Sequence, residues 1–166
     1  MRKSHVISAM LIALVVMSAI LAPSALSGSG ARERHGMEFL HITSATAQEA
    51  FIDAAPANEF SVGDSYVFSE DLFKGTTRIG DAGAECMTVR IDGPSSAVAH
   101  CTETFRLPAG QIVTQGLLTF DPAVGGTEFT WAITGGTGAY SSAHGEVRVV
   151  ESNGGVNATF DFRITR

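Results

Sequence analysis

Two side chains in the sequence are suited to moving a proton near neutral pH, the carboxyl group of Glu70 and the imidazole of His41. A positioned carboxylate can accept a proton from a substrate, and a histidine exchanges one readily in this pH range. Each has an ordinary alternative, since Glu70 could be a solvated surface carboxylate and His41 a histidine at a rim or on the surface. Both are candidate catalytic residues.

The glycine-rich stretch GGTG, residues 135–138, is a second candidate for chemistry, because loops of this composition can bind phosphate. A phosphate-binding loop leads into a helix whose first N–H groups hold the anion, and the P-loop form also carries a lysine. Residues 139–150 instead lead into strand-like alternation, and the loop contains no lysine. The sequence therefore predicts a tight corner between two strands, with Tyr140 tucked inward.

The two cysteines, Cys86 and Cys101, lie at similar distances from the turn at residues 92–95. In an antiparallel hairpin this spacing places them opposite one another, close enough for a disulfide. The alternative is a reduced Cys86 that lines a pocket. No metal site is predicted, because the histidines are scattered and no Cys-x-x-Cys or His-x-x-x-His spacing occurs.

Strands must position these side chains, because apolar and polar residues alternate with a period of two along most of the sequence. Eight stretches rich in valine, isoleucine, threonine and aromatic residues read as half-buried strands. Their bounds are 38–45, 65–73, 84–92, 97–107, 110–120, 128–134, 144–152 and 156–165. Short turns containing Gly, Pro, Asp or Asn separate most of them, so neighbouring strands must be antiparallel. Residues 46–63 are predicted to be a loop or a helical turn.

This succession of strands predicts an all-β domain, an eight-stranded antiparallel up-and-down β-barrel. Such a barrel has no open sheet edge and can enclose one small ligand. A two-layer sandwich is the alternative, since the alternation of residues alone does not distinguish one sheet closed into a barrel from two sheets stacked on one another. Aromatic side chains that share one strand face are candidates for binding a ligand, with ordinary core packing as the alternative. They are Tyr66, Phe68, Trp131, Phe160 and Phe162.

The first 27 residues have the layout of a secretory signal peptide. Arg2 and Lys3 precede an uncharged apolar run at residues 6–22, and small residues come next. An uncleaved membrane anchor is the alternative. Cleavage would leave residues 28–166 as a single secreted domain that does not associate with the membrane, in a compartment where disulfides persist.

The charge of the chain argues against nucleic acid as a partner. The formal net charge is −6, and removal of the first 27 residues makes it more negative. An acidic surface repels phosphate backbones, and no basic cluster with interleaved aromatic residues occurs.

Several segments together resemble the plant allene oxide cyclases and the dirigent proteins. Residues 133–147, ITGGTGAYSSAHGEV, are similar to a signature of these families in which a Gly-Gly-x-Gly turn precedes an aromatic residue and Ala-x-Gly. VGDSYVFSEDLF at 62–73, GQIVTQG at 110–116 and NATFDFRI at 157–164 resemble further cyclase strands in the same order. The resemblance spans about residues 38–166.

The resemblance implies a calycin-type barrel of eight strands with an apolar lumen. In these families the barrel steers cyclisation or radical coupling of a small lipophilic molecule without metal or organic cofactor, often as a trimer. For this chain it implies such a partner, no cofactor, and a homo-oligomer that is a trimer or a dimer. A lipocalin-like binding barrel without catalysis and a purely structural module are the alternatives.

Four positions of the cyclase pocket can be compared with this sequence. A pocket cysteine of the third strand falls at Cys86, which the resemblance makes a third catalytic candidate. The first-strand glutamate falls at His41, the second-strand asparagine at Glu70, and a pocket tyrosine at Leu118. Three of the four positions therefore differ, and Leu118 joins the candidate ligand-binding residues.

Overall fold

The computed structural model describes residues 36–54, 60–120 and 128–166. Within these ranges eight strands form a closed barrel in chain order, each antiparallel to its neighbours, with the last strand returning to pair with the first. The strands are β1 (Met37–Ile52), β2 (Ser65–Lys74), β3 (Thr77–Ile91), β4 (Ala97–Leu107), β5 (Gly110–Phe120), β6 (Glu128–Gly136), β7 (His144–Ser152) and β8 (Asn157–Thr165). The up-and-down barrel is confirmed, and the sandwich is wrong.

The predicted signal peptide, residues 1–27, lies outside the described residues. In the part of the chain that the structure describes, no helix has the length and apolar character needed to span a membrane.

Two strands are longer than their sequences predict. β1 continues to Ile52, so the prediction of a loop or helical turn from residue 46 onward is wrong for its first part. A register shift between Thr46 and Gln48 interrupts the alternation there, while pairing with β2 continues as far as Ile52 opposite Ser65. β3 begins at Thr77, where small and polar residues hide the strand pattern.

One end of the barrel is packed solid. Phe105 is completely buried there, and its ring meets those of Phe160 and Phe162 edge-on at centroid distances of 4.9 and 5.0 Å. Aliphatic side chains fill the space around these rings with almost no exposed area. They are Ile42, Leu72, Ile112, Val147 and Ile164. We call this half of the barrel the closed end.

The GGTG stretch turns the chain between β6 and β7 at the closed end, which confirms the predicted strand corner. Residues Gly138–Tyr140 form a single 3-10 turn, and Tyr140 is buried. Gly138 has a φ of +60°, and a Cβ atom there would lie 2.5 Å from the Ala109 carbonyl oxygen. Both observations require glycine for conformational and steric reasons, without any ligand.

The disulfide between Cys86 and Cys101 is confirmed. The two residues lie directly opposite one another in the pairing of β3 with β4, and the cysteines are joined. The alternative of a reduced Cys86 is therefore wrong. The bond closes a loop of roughly 15 residues, for which chain entropy gives up to about 3 kcal/mol of stabilisation.

Candidate functional site

The other half of the barrel, the open end, holds a cavity of about 730 Å³. It lies where β1, β3, β5 and β7 end and where β2, β4, β6 and β8 begin, opposite the GGTG corner. Its volume falls within the range of small-molecule sites. Eight aromatic side chains line it, namely Phe51, Phe60, Tyr66, Phe68, Phe120, Phe129, Trp131 and Phe160.

Five of the six predicted ligand-binding residues line this cavity. They are Tyr66, Phe68, Leu118, Trp131 and Phe160. The sixth, Phe162, does not, and the structure corrects its placement. Phe162 shares the inward face of β8 with Phe160 but lies one step deeper, where it is 1% exposed in the closed end. Alternation identified the face of the strand but not the depth along the barrel axis.

His41 lies on the outside of the barrel, away from the cavity, so the structure favours the alternative of a surface histidine over the catalytic candidate. Ile42 and Ser44 of β1 point inward, which turns the intervening positions and His41 outward. The imidazole is 67% exposed, and its Nδ1 lies 2.6 Å from Oδ1 of Asp161 on β8.

Glu70 lies on the cavity wall and is only 3% exposed, so the alternative of a solvated surface carboxylate is wrong. The strand alternation of β2 places it inward together with Phe68 and Tyr66. The hydroxyl of Ser44 on β1 donates a hydrogen bond to Oε1 of Glu70 at 2.7 Å. This contact fixes one carboxylate oxygen and leaves the other for a further partner.

A second buried carboxyl group, Glu103 on β4, stands beside Glu70. Glu103 is 2% exposed and also lines the cavity. Burial first, and then the charge of Glu70 and a hydrogen bond with it, raise the pKa of Glu103 well above its usual range. The protonated form of Glu103 is therefore favoured more strongly than that of a carboxyl group in water.

Glu103 is not among the predicted site residues, although the sequence carries a signal for it. In β4 the inward positions include Cys101 and Phe105, and Glu103 lies between them with the same phase. An acidic residue in the apolar phase of a strand is unusual, because burying a carboxyl group is unfavourable unless it is paired. We call Glu70 and Glu103 the carboxyl pair.

Three buried polar atoms on the cavity wall have no hydrogen-bond partner among the described residues. They are Oε2 of Glu70, Oε1 of Glu103 and the indole Nε1 of Trp131. Buried polar groups in native proteins are nearly always paired. Because these atoms belong to residues that line the cavity, a bound molecule with polar groups is a candidate partner for them.

The indole ring of Trp131 packs closely against the backbone of β5 at Gly116. A Cβ atom added at Gly116 would be 1.9 Å from Cδ1 of the indole, so only glycine leaves room for the ring. Phe129 lies against Trp131 on the same strand with a centroid distance of 4.6 Å. The two rings form one aromatic wall of the cavity.

Tyr66 lies near the mouth, where its hydroxyl donates a hydrogen bond to Glu49. Burial and the Glu49 carboxylate raise the pKa of Tyr66 to about 12. Tyr66 therefore stays protonated at physiological pH and can orient a polar group, but it does not act as a base.

Asp64 organises the chain at the mouth. It is 1% exposed and accepts hydrogen bonds from the backbone N–H groups of Ala54 and Ser61 at 2.9 and 2.8 Å. These bonds lower the pKa of Asp64, so it is ionised at neutral pH. The same two hydrogen bonds connect Ala54 and Ser61 to Asp64, next to the start of β2.

Cys86 lines the cavity as half of a disulfide, not as a thiol. Its prediction as a catalytic residue is therefore corrected, because a bridged sulfur cannot act as a thiolate nucleophile or base. Among the described residues, no group of three or more His, Cys, Asp or Glu side chains is placed to hold a metal ion.

A closed ring of eight antiparallel strands in chain order, with a cavity at one end, places the chain in the class of up-and-down β-barrels. The sequence model described as the allene oxide cyclase barrel like domain matches residues 40–160. The chain belongs to this allene oxide cyclase-like family. No protein with a curated function matches the sequence.

Solved structures with the same fold include several enzymes. A pyocyanin demethylase is 25% identical with a TM-score of 0.66, covering 76% of this chain and 99% of its own. An exo-specific intermolecular Diels-Alderase is 13% identical with a TM-score of 0.63, covering 79% and 99%. The Diels-Alderase AbmU from Streptomyces koyangensis is 17% identical with a TM-score of 0.61, covering 78% and 63%. The latter two likenesses concern the fold alone.

Proposed function

We propose that the barrel binds a small, predominantly apolar molecule in its cavity and steers its isomerisation or cyclisation by proton transfer with the carboxyl pair. The observation that supports this proposal is the placement of Glu70 and Glu103 together on an aromatic wall, each with a buried oxygen that lacks a partner among the described residues. A pair that served only the fold would be an unfavourable way to fill this space.

The two carboxyl groups divide acid and base roles between them. Glu70, held by Ser44, is the base that accepts a proton from a carbon atom of the substrate. Glu103, whose raised pKa favours the protonated form, donates its proton or a hydrogen bond to the substrate atom where negative charge develops. The substrate loses one proton and regains one elsewhere, so the product is an isomer, and no cofactor enters a step.

The aromatic wall supplies the remaining part of the proposed catalysis. Apolar area removed from water contributes roughly 25 cal/mol per Å² to binding. A flexible substrate enclosed between rigid rings is restricted to few conformers, which lowers the entropic part of a cyclisation barrier. Cycloaddition by Diels-Alderases of the same fold agrees with this use of the barrel.

The proposal is tested with 5-nitrobenzisoxazole, a planar molecule that isomerises when a base removes its ring C–H proton. The N–O bond then breaks, a nitrile forms, and the released phenolate is coloured. We expect the protein to accelerate this reaction over acetate at equal concentration, and N-phenyl-1-naphthylamine to suppress the acceleration by occupying the cavity. Binding of both molecules without acceleration would instead favour the lipocalin-like alternative, a barrel that binds without catalysis.

Export of the chain and a homo-oligomeric state, dimer or trimer, are further proposals. The apolar segment near the N-terminus supports export, and the disulfide is compatible with it. Mass spectrometry of the protein from culture medium is expected to give a mature chain that begins near residue 28. Recovery of the full-length chain from membranes alone would show an uncleaved anchor instead. Light scattering of the mature protein gives its oligomeric state.

A further inference from the structure

We propose that the cavity is selective for positively charged planar aromatic molecules and rejects anions. This inference names the substrate class of the site in the proposed function and rests on that site. Three features carry it: the charges on the cavity wall, the buried position of some of these charges, and the arrangement of the aromatic rings.

The charges that line the cavity all have one sign. Five acidic residues lie on its wall, and no lysine, arginine or histidine is among the described residues that line it. The acidic residues are Glu49, Asp64, Glu70, Glu103 and Glu151. A carboxylate or phosphate on a ligand would meet like charges without a cationic partner on the described wall.

These carboxyl groups are not equivalent. Burial and the neighbouring Glu70 raise the pKa of Glu103, whereas the charge of Asp64 is stabilised by the N–H groups of Ala54 and Ser61. Glu70 is buried, and one of its oxygens has no partner in the described part of the chain. A charge in such surroundings is poorly screened by water, so it attracts a cation more strongly than a surface carboxylate does.

The rings on two strands are arranged to enclose a flat molecule. The ring centroids of Tyr66 and Phe68 on β2 are 5.3 Å apart. Those of Phe129 and Trp131 on β6 are 4.6 Å apart. β2 and β6 are four positions apart in a ring of eight strands, so these two walls face one another across the cavity. The faces of aromatic rings attract cations, most strongly where water is excluded. Together with the carboxylates, they favour a planar cation over its neutral analogue.

The test uses three probes of similar shape and different charge: 10-methylacridinium, acridine in mildly alkaline buffer, and anthracene-9-carboxylate. The chain has a single tryptophan, and Trp131 lies on the cavity wall, so quenching of its fluorescence reports binding directly. We expect 10-methylacridinium to bind about tenfold more tightly than acridine, and the carboxylate to bind at least about tenfold more weakly than acridine.

Equal binding of all three probes, or preference for the carboxylate, would overturn the charge selectivity and leave the proposed function standing. Failure of every probe to bind would overturn both, because the cavity would then not accept aromatic molecules. The two proposals therefore fail in different ways. The wild-type comparison needs no variant, so it does not depend on the folding of a mutant.

A matched pair of variants locates the source of the selectivity. Glu70→Gln removes a carboxylate from the cavity wall, and Glu146→Gln makes the same charge change on the outer face of β7, where Glu146 is exposed and bonded to Arg163. We expect Glu70→Gln to lose most of the preference for 10-methylacridinium over acridine and Glu146→Gln to retain it. If both variants lost this preference equally, it would arise from the net charge of the protein, and the proposed role of the cavity wall would be overturned.

Discussion

A Glu70→Gln variant is expected to isomerise 5-nitrobenzisoxazole at least about 100-fold more slowly than the wild-type protein, the lower limit for losing a positioned general base. Glutamine keeps the size of the side chain and can still accept a hydrogen bond from Ser44, but its amide cannot take the ring proton. The initial rate of phenolate formation, followed by absorbance under subsaturating conditions, measures the loss in kcat/KM.

The Glu103→Gln variant distinguishes the proposed acid role of Glu103 from the proposed base role of Glu70. The amide of glutamine still donates a hydrogen bond, so we expect a smaller loss than in Glu70→Gln. The wild-type rate is expected to fall as the pH rises through the raised pKa of Glu103, and this alkaline fall should disappear in the variant. Equal activity of wild type and both variants would contradict the roles of the carboxyl pair.

The raised pKa of Glu103 also affects the stability of the fold. Because the folded-state pKa of Glu103 is raised, the unfolded chain binds fewer protons at pH values between the unfolded and folded pKa. The contribution of Glu103 to stability is therefore fully present below the unfolded value and is lost as pH rises through the folded one. Glu103→Gln should accordingly melt at a higher temperature than wild type at neutral pH, which would show that its loss of activity does not come from unfolding.

The second large effect is expected from Phe105→Ala, which should reduce the free energy of unfolding by about 3–5 kcal/mol. Phe105 is completely buried and meets Phe160 and Phe162 edge-on, so its removal leaves a hole that neighbouring strands cannot close. Its ring pairs add to the loss beyond the buried area. Urea unfolding followed by circular dichroism measures the change.

Phe39→Ala is the matched control for this prediction. Phe39 is also on a strand, β1, but is 70% exposed, so the same truncation should change the free energy of unfolding by no more than about 0.5 kcal/mol. Similar losses in both variants would show that the closed end is not the source of the stability.

The fold could be predicted from the sequence largely because strand periodicity and turn residues are local signals. The opposition of Cys86 and Cys101 could be deduced from their distances to one turn, and the GGTG corner from the strand-like residues after it. The second half of β1 could not be predicted in the same way, because the register shift after Thr46 breaks the alternation. Pairing with β2, which the local sequence does not encode, holds that segment as a strand.

The site was less accessible to sequence reasoning for two physical reasons. A shift of one residue reverses the face of a strand, which is why His41 lies outside while its neighbour Ile42 lies inside. Alternation also says nothing of depth along the axis, which separates Phe160 from Phe162. The proximity of Glu103 and Glu70 depends on β2 and β4 pairing with opposite sides of β3, so it emerges only once the register of all three strands is known.

The separation of a solid half from a hollow half has an evolutionary consequence. Most of the large, fully buried side chains lie at the GGTG end, whereas the cavity and the disulfide lie at the other. Substitutions around the entrance that spare the disulfide are therefore expected to change the shape of the cavity with little loss of stability. A barrel divided in this way can support quite different activities, as the demethylase and the Diels-Alderases that have this fold illustrate.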